Sequence, residues 1–566
     1  MIRNICFLQA PSESGLQYPD NMTVLPLSLA LGVLAGYLRN KGIEVDLIDL
    51  NAGFSDKFSN DEDKKKLEIC FDKEAVLSYL KGEDNQCIDS LIEYMLSEVD
   101  IDSYDSFGIS IGADFSFVQI HCGFLIAKFL KSKYSKTVFI GGNNVSYLYI
   151  FRDVFLELWT AALQNLTFII KGPGEEVIWD IIKGLNDGED MDALVNIGGL
   201  VRLIGNEVVA NAEYRPQVVR PDWEGLDLKY YKKYMCDDTT GDKKSERAAS
   251  DNKVYVYKWP DTFIDSPGQL VNKYNKTKKA KDVLPRLIVP YIFNYNCPYN
   301  CAFCTQSDYD RGSVVGGQAE HVIEDIKALI EKYQTNYFYF LNNAFNYSAK
   351  FADTFCQEVR AQGIKLYWSD CGRFNNLTYE RLKQMREAGC VKLTFGFETG
   401  SEKILKLIDK RLDLAHAEEV LKWCHELGIW CDIEVIVGLP HEFEEDFAAT
   451  KSFLERNQKY INYIWINEYF VVPNSLIGRF PERYGIELIR DRTTYNDLLK
   501  NNLEYFQSGR IPSTQNAKIY GYNEINGRDY SQIVEENNRR IETLNKMQKM
   551  EFYEVSQFYK LFLNKK

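Results

Sequence analysis

The sequence passes twice through one pattern: short, almost wholly apolar β-rich runs separated by stretches of helical periodicity. In residues 1–220 the runs are Arg3–Ala10, Glu44–Leu50, Phe107–Gly112, Thr137–Gly142 and Thr167–Lys171. Helical stretches at Leu25–Gly42, at Val118–Lys133 and from Glu175 onward accompany them. Strands that are apolar on both faces belong in a parallel sheet covered by helices on each side. The first passage therefore predicts an α/β, doubly wound domain whose ligand belongs at the carboxyl ends of the strands.

The second passage begins near residue 286. Its strands are Leu287–Asn294, Tyr337–Leu341, Leu366–Cys371, Val391–Phe397, Asp432–Val437 and Tyr463–Val471, with helices such as His321–Tyr333 between them. Six strand–helix units fit a partial (β/α)6 barrel, open on one side, with its chemistry at the strands' carboxyl ends. Residues 221–285 form a connection: Gly241–Asn252 and the lysine-rich Lys273–Asp282 lack apolar periodicity and read as solvated loops. Residues 286–485 make the barrel. Residues 486–566 are a small, mainly helical C-terminal region ending in a helix near Tyr530–Leu563.

Several strand ends in the first domain carry glycine. Ser110-Ile111-Gly112 ends one strand, Gly141-Gly142-Asn143-Asn144 the next, and Gly172-Pro173-Gly174-Glu175 the last. Glycine lets backbone amides approach a large ligand, although it also serves any tight strand-to-helix turn. Three such ends on one sheet edge favour a binding surface.

Charge and cysteine usage narrow the class. Lys plus Arg number 67 against 81 Asp plus Glu, a formal net charge of -14, which argues against a nucleic-acid partner. The longest apolar run, from Leu25 to Leu38, is interrupted by Pro26, Ser28 and Tyr37 and is shorter than the roughly 20 residues a membrane span needs. It follows a strand-like segment and does not resemble a secretion signal. The expected location is cytoplasmic. Thirteen cysteines, an odd number, stand beside five histidines, which suggests free thiols and metal ligands in a reducing compartment and not a disulfide framework.

Three of those thiols are grouped. After the first barrel strand the chain reads Asn296-Cys297-Pro298-Tyr299-Asn300-Cys301-Ala302-Phe303-Cys304, a C-x3-C-x2-C spacing on a loop. Three thiolates this close suit one soft metal centre. Structural zinc wants a fourth Cys or His at short range, and the next histidine, His321, lies on a helix. A 4Fe–4S cluster with one iron left open fits three ligands better. The other ten cysteines are scattered and read mostly as buried small hydrophobes.

The spacing, with Phe303 directly before the third cysteine at the first strand of a partial barrel, resembles the radical S-adenosylmethionine (SAM) superfamily over about residues 286–480. The resemblance implies that Cys297, Cys301 and Cys304 hold a 4Fe–4S cluster that chelates SAM and cleaves it reductively to a 5′-deoxyadenosyl radical. Gly396-Phe397-Glu398-Thr399-Gly400-Ser401 is similar to a segment of the family's cobalamin-associated branch, in which Glu398 would hydrogen-bond SAM; a carboxylate favoured at a helix N-terminus is the alternative. Ile436-Val437-Gly438-Leu439-Pro440 resembles the branch's loop near the adenine. Arg373 would meet the SAM carboxylate, or form a surface salt bridge. Asn342 stands where relatives commonly carry acidic residues, and its amide would bond a ribose hydroxyl.

In that branch a Rossmann-like cobalamin domain precedes the barrel, and this sequence has the same order. The resemblance places cobalamin along Ser110, Gly112, Gly141, Gly142, Asn143, Gly172, Gly174 and Glu175. Pro221-Asp222-Trp223-Glu224-Gly225-Leu226 also matches the branch in place and type. A D-x-H-x-x-G signature is missing: Gln119 stands where its aspartate would, and His121, the domain's one histidine, reads as a packed helical residue. The expected function is C-methylation of an unactivated carbon in a peptide or natural-product intermediate, with cyclisation or rearrangement as the alternative. The expected partners are a small-molecule or peptide substrate and a one-electron reductant of flavodoxin or ferredoxin type.

Overall fold

The structure, a computed structural model, describes residues 1–17, 27–112, 115–231, 233–236, 256–258, 284–305, 314–508 and 518–548. Two compact units divide it: Met1–Tyr231 together with Thr493–Ile519, and the barrel through Arg492 together with the chain from Tyr520. The loop stretches at 241–252 and 273–282 lie outside the described residues, as does the chain beyond residue 548.

In the first unit β1 (Asn4–Gln9), β2 (Glu44–Asp49), β3 (Ser106–Ser110), β4 (Thr137–Gly141) and β5 (Phe168–Ile169) form one sheet in the order β2-β1-β3-β4-β5. Each neighbouring pair is parallel. This is a doubly wound order whose direction reverses between β1 and β3, where such sheets open a ligand crevice. Helices α1 (Leu29–Arg39), α2 (Phe117–Tyr134), α3 (Asn143–Ile150) and α4 (Glu175–Asp187) accompany the strands. Between β2 and β3 the chain inserts helical segments, among them Lys73–Lys81 and Gln86–Met95, that the apolar-run pattern does not announce.

The Pro221–Leu226 segment closes this unit on α1. Gly32 makes room for the buried Trp223 ring, which a Cβ there would meet at 2.4 Å. The indole N–H donates to the Ser28 carbonyl at 2.8 Å, and Arg39 pairs with Asp222 at 2.9 Å. A further helix, α5 (Tyr495–Gln507), belongs to the same unit although it follows the barrel in sequence.

The second unit is built on β6 (Ile288–Tyr291), β7 (Tyr337–Phe340), β8 (Tyr367–Gly372), β9 (Cys390–Glu398), β10 (Trp430–Val437) and β11 (Tyr463–Glu468). They pair in sequence order, all parallel, in an open six-stranded sheet. The anticipated partial barrel is thus present strand for strand. An antiparallel pair, β12 (Ile486–Ile489) with β13 (Gly521–Glu524), and helix α6 (Tyr530–Met547) complete this unit. The residues after Arg492 therefore divide between the units: α5 joins the first, and β13 with α6 joins the barrel.

Candidate active site

β6 ends at Tyr291, and the following chain makes a short strand, Asn294–Tyr295, paired with Val315–Gly316 before entering the cysteine loop. The Cys304 amide donates to the Cys301 carbonyl at 3.0 Å and so forms a tight turn. Buried Ala302 fixes that turn from both sides: its amide donates to the Ile408 carbonyl at 2.8 Å, and its carbonyl accepts from the Ile477 amide at 3.0 Å. Phe303 packs on the apolar cluster that includes Ile408, Leu439 and Ile477. The loop is consequently held by chain segments that follow β9 and β11, far from it in sequence.

Cys301 is buried, and Cys297 and Cys304 are half-buried. Burial raises the Cys297 thiol, opposed by the Tyr299 amide and by the charges of Arg373 and Lys410. Among the described residues no three His, Cys, Asp or Glu side chains are already closed into a metal cage. The loop's fitness for a cluster rests on three soft donors at close spacing beside two cations. Arg373, directly after β8, donates to the Cys301 sulfur at 3.7 Å and to the Lys410 carbonyl at 2.8 Å. Its guanidinium lies 3.6 Å from the centre of the Tyr299 ring.

Glu398 ends β9 in a left-handed conformation, φ 67°, where the pairing with β10 shifts register. Its buried carboxylate accepts from the Lys410 ammonium at 2.5 Å, and that ammonium lies 6.0 Å from the Phe303 ring centre. The structure thus gathers Cys297, Cys301, Phe303, Arg373 and Glu398, with Lys410 as the link. Asn342 is placed differently. Its side-chain oxygen accepts from the Phe293 and Asn294 amides at 3.0 and 2.9 Å, and its nitrogen donates to Asp370 at 2.6 Å. That amide ties the ends of β6, β7 and β8 together.

Sequence reading passed over a polar group along β9 and β10. Lys392 and Asp432 form a buried pair at 2.7 Å, and Asp432 also accepts from the Trp430 and Trp465 indoles at 2.5 and 3.0 Å. Glu434, opposite Gly396 in register, has its carboxyl pushed up to about 7 by burial and then by Glu398, with Lys410 and Lys392 opposing. The available signal was charge at alternate positions, 392 on one strand and 432 and 434 on its neighbour, within otherwise apolar runs.

The loop after β10 is anchored by the C-terminal elements. The Gly438 carbonyl accepts from the Tyr522 hydroxyl at 2.7 Å, and its amide donates to Glu442 at 2.7 Å. Glu442 pairs with the buried Arg540 of α6 at 3.3 Å, and burial raises its carboxyl to about 7. Next to it, the His441 amide donates to Glu524 of β13 at 2.7 Å.

In the first unit the glycine-bearing strand ends are those of β3, β4 and β5, which neighbour one another in the sheet. The Ser110 carbonyl accepts from the Ala10 amide at 3.0 Å and from the Gln9 side chain at 3.3 Å. Gly142, φ 111°, has no room for a side chain: a Cβ would stand 2.7 Å from the Ile111 carbonyl oxygen. A Cβ on Gly112 would lie 3.1 Å from the Asn143 amide nitrogen, so the ends of β3 and β4 touch through backbone alone. Asn143 opens α3. The Gly172 amide donates to Ser146 of α3 at 3.2 Å, Gly174 is the N-cap of α4, and burial raises the Glu175 carboxyl in that helix's first turn. Around this edge Gln119 donates to the Ala10 carbonyl at 3.0 Å and accepts from Asn144 at 3.3 Å. His121 is fully buried, with its Nδ1 against the Cys70 carbonyl and its Nε2 2.5 Å from the Tyr495 hydroxyl.

Comparison with known proteins agrees with this geometry. Residues 291–454 match the radical SAM superfamily. An uncharacterized methyltransferase of Pyrococcus horikoshii is 29% identical over 218 residues, 38% of this chain and 47% of that protein. The anaerobic magnesium-protoporphyrin IX monomethyl ester cyclase of Cereibacter sphaeroides is 22% identical over 321 residues, 55% of this chain and 43% of the cyclase. The chain thus spans less than half the length of these two curated relatives. Among solved structures, the radical SAM methyltransferase TsrM of Kitasatospora setae, with cobalamin and a 4Fe–4S cluster bound, aligns at a TM-score of 0.54 and 15% identity. That alignment covers 87% of this chain and 82% of TsrM. Residues 291–454 thus form a radical SAM domain, and over most of its length the chain has the fold of TsrM.

Proposed function

We propose that the chain is a cobalamin-dependent radical SAM C-methyltransferase. The observation that carries the reading is the cysteine loop, fixed at Ala302 beside Arg373 and the Lys410–Glu398 pair, in a chain whose first unit is a doubly wound sheet with glycine at its ligand edge. Cys297, Cys301 and Cys304 would hold a 4Fe–4S cluster, which the nearby cations and the soft donors fit. The buried Arg373 Nε, which has no hydrogen-bond partner among the described residues, and the Glu398 carboxylate offer a donor and an acceptor for the carboxylate and ammonium of SAM. Ser110, Gly112, Gly141, Gly142, Asn143, Gly172, Gly174 and Glu175 would line the cobalamin edge.

When bound, the cluster would supply the electron that cleaves SAM and cobalamin would carry the methyl group. The chain's own residues supply position. Phe303 and the apolar cluster behind it keep water from the loop, Lys410 holds Glu398 in place, and Gly438 is presented by Tyr522 and Glu442. His121, with both ring nitrogens committed inside the unit, would not be available to the cobalamin. The substrate class is a small molecule or peptide, and a flavodoxin- or ferredoxin-type donor would deliver electrons.

The test is anaerobic reconstitution with iron, sulfide and cobalamin, followed by absorbance and product analysis with SAM and reductant. Methylation requires S-adenosylhomocysteine alongside 5′-deoxyadenosine. The similarity to the magnesium-protoporphyrin cyclase supports a second reading, oxidative cyclisation, for which 5′-deoxyadenosine alone is expected. Failure to retain cobalamin would remove the cobalamin assignment.

A further inference from the structure

Arg373 is held at both its backbone and its guanidinium. Its amide donates to the Asn346 side chain at 2.9 Å, and its carbonyl accepts from that side chain at 2.7 Å. Asn346 is itself buried on the turn Phe345–Tyr347. The guanidinium is then fixed by the Tyr299 ring on one face and the Lys410 carbonyl at Nη2, which aims Nη1 at the Cys301 sulfur, 3.7 Å away. A planar cation stacked and bonded in this way loses little further freedom in keeping one donor on one acceptor. Lys410 does not duplicate that donor, because its ammonium is paired with Glu398.

A donor bond to a metal-bound thiolate draws negative charge from the sulfur. It therefore favours the more negative, reduced form of an iron–sulfur centre and raises its potential. We infer that Arg373 is a positioning residue whose hydrogen bond to the Cys301 sulfur raises the reduction potential of the cluster held by the three cysteines. The inference rests on the cluster assignment proposed above. Reduction adds one electron from the external donor and releases no group; Arg373 lowers the cost of the added charge.

The test uses the full-length chain and its R373Q and R373K variants, reconstituted anaerobically without SAM, so that no SAM carboxylate contributes. Iron and sulfide content is measured first, then the cluster is titrated with dithionite and followed by electron paramagnetic resonance. All three proteins are expected to load equally. Poised at the wild-type midpoint, R373Q should show a reduced-to-oxidised ratio about tenfold lower, equivalent to about 59 mV for one electron. R373K, which keeps the charge but not the planar fork, should fall between. An unchanged midpoint in R373Q would overturn the inference and leave the cluster standing. Loss of the cluster from both variants would also overturn it, making Arg373 a scaffold of the loop. A wild-type chain that takes up no iron or sulfide would overturn the cluster assignment with it.

Discussion

Lys392 and Asp432 place a full ion pair in the barrel, at 2.7 Å and with side chains 4% and 0% exposed. Such a pair contributes little net stability against an apolar replacement, but removing one partner strands a buried charge. Lys392→Met is expected to cost about 3–5 kcal/mol in denaturant unfolding, and a double variant with Asp432→Asn should recover most of it. A double variant no more stable than the single one would contradict this. Glu434 presents the opposite case. Its carboxyl, ordinarily near 4.5, is raised to about 7, so ionising it costs stability as pH rises through that window. Glu434→Gln should therefore stabilise the chain at pH 8, by up to about 3 kcal/mol, with the gain fading toward pH 4.5. An equal gain at both pH values would show that the carboxyl's ionisation is not the cause.

Elements meet across the sequence at similarly polar points. α2 carries His121 into the core, where its ring bridges the Cys70 carbonyl and the Tyr495 hydroxyl of α5. Burial lowers this imidazole to about 4, against 6.5 in an open chain. Only the unfolded chain takes up the proton below 6.5, so stability is complete above that pH and is lost as the pH falls toward 4, by about 3 kcal/mol in all. His121→Asn should cost about 1–3 kcal/mol at pH 7 through lost buried bonds. Its deficit should shrink at pH 4.5 in urea unfolding, whereas a constant deficit would mean that His121 does not titrate this way. The sequence announced α2 and all the strands of both sheets because their apolar runs are local signals. It did not announce the helices between β2 and β3 or the docking of α5, because those follow from tertiary partners such as Tyr495. At the site, the thiol loop was legible from spacing alone, while Lys392, Asp432 and Glu434 stood inside strands read only for their apolar content. Asn342 shows the same limit: its residue type fits a ligand contact, and only the fold reveals that Phe293, Asn294 and Asp370 already engage it.

At the scale of the whole chain, each unit carries its own core and its own proposed cofactor, so each ligand should stabilise its own unit. A ligand present at 100 times its Kd adds about 2.7 kcal/mol to the state that binds it. Cobalamin at that excess is therefore expected to slow hydrogen exchange by about a hundredfold wherever exchange requires opening of the first unit. The slowing should be strong in peptides covering 106–112, 137–146 and 170–178, which form the glycine edge. It should also reach 495–507, because His121 and Tyr495 join α5 to α2, which starts beside that edge, across a sequence separation of 374 residues. The neighbouring stretch 520–548 packs with the barrel and should exchange as before. Mass spectrometry of the exchanged peptides separates these cases. Slowing confined to the barrel peptides would place cobalamin in the wrong unit. Slowing at the glycine edge without 495–507 would show that α5 opens independently of the sheet it packs on.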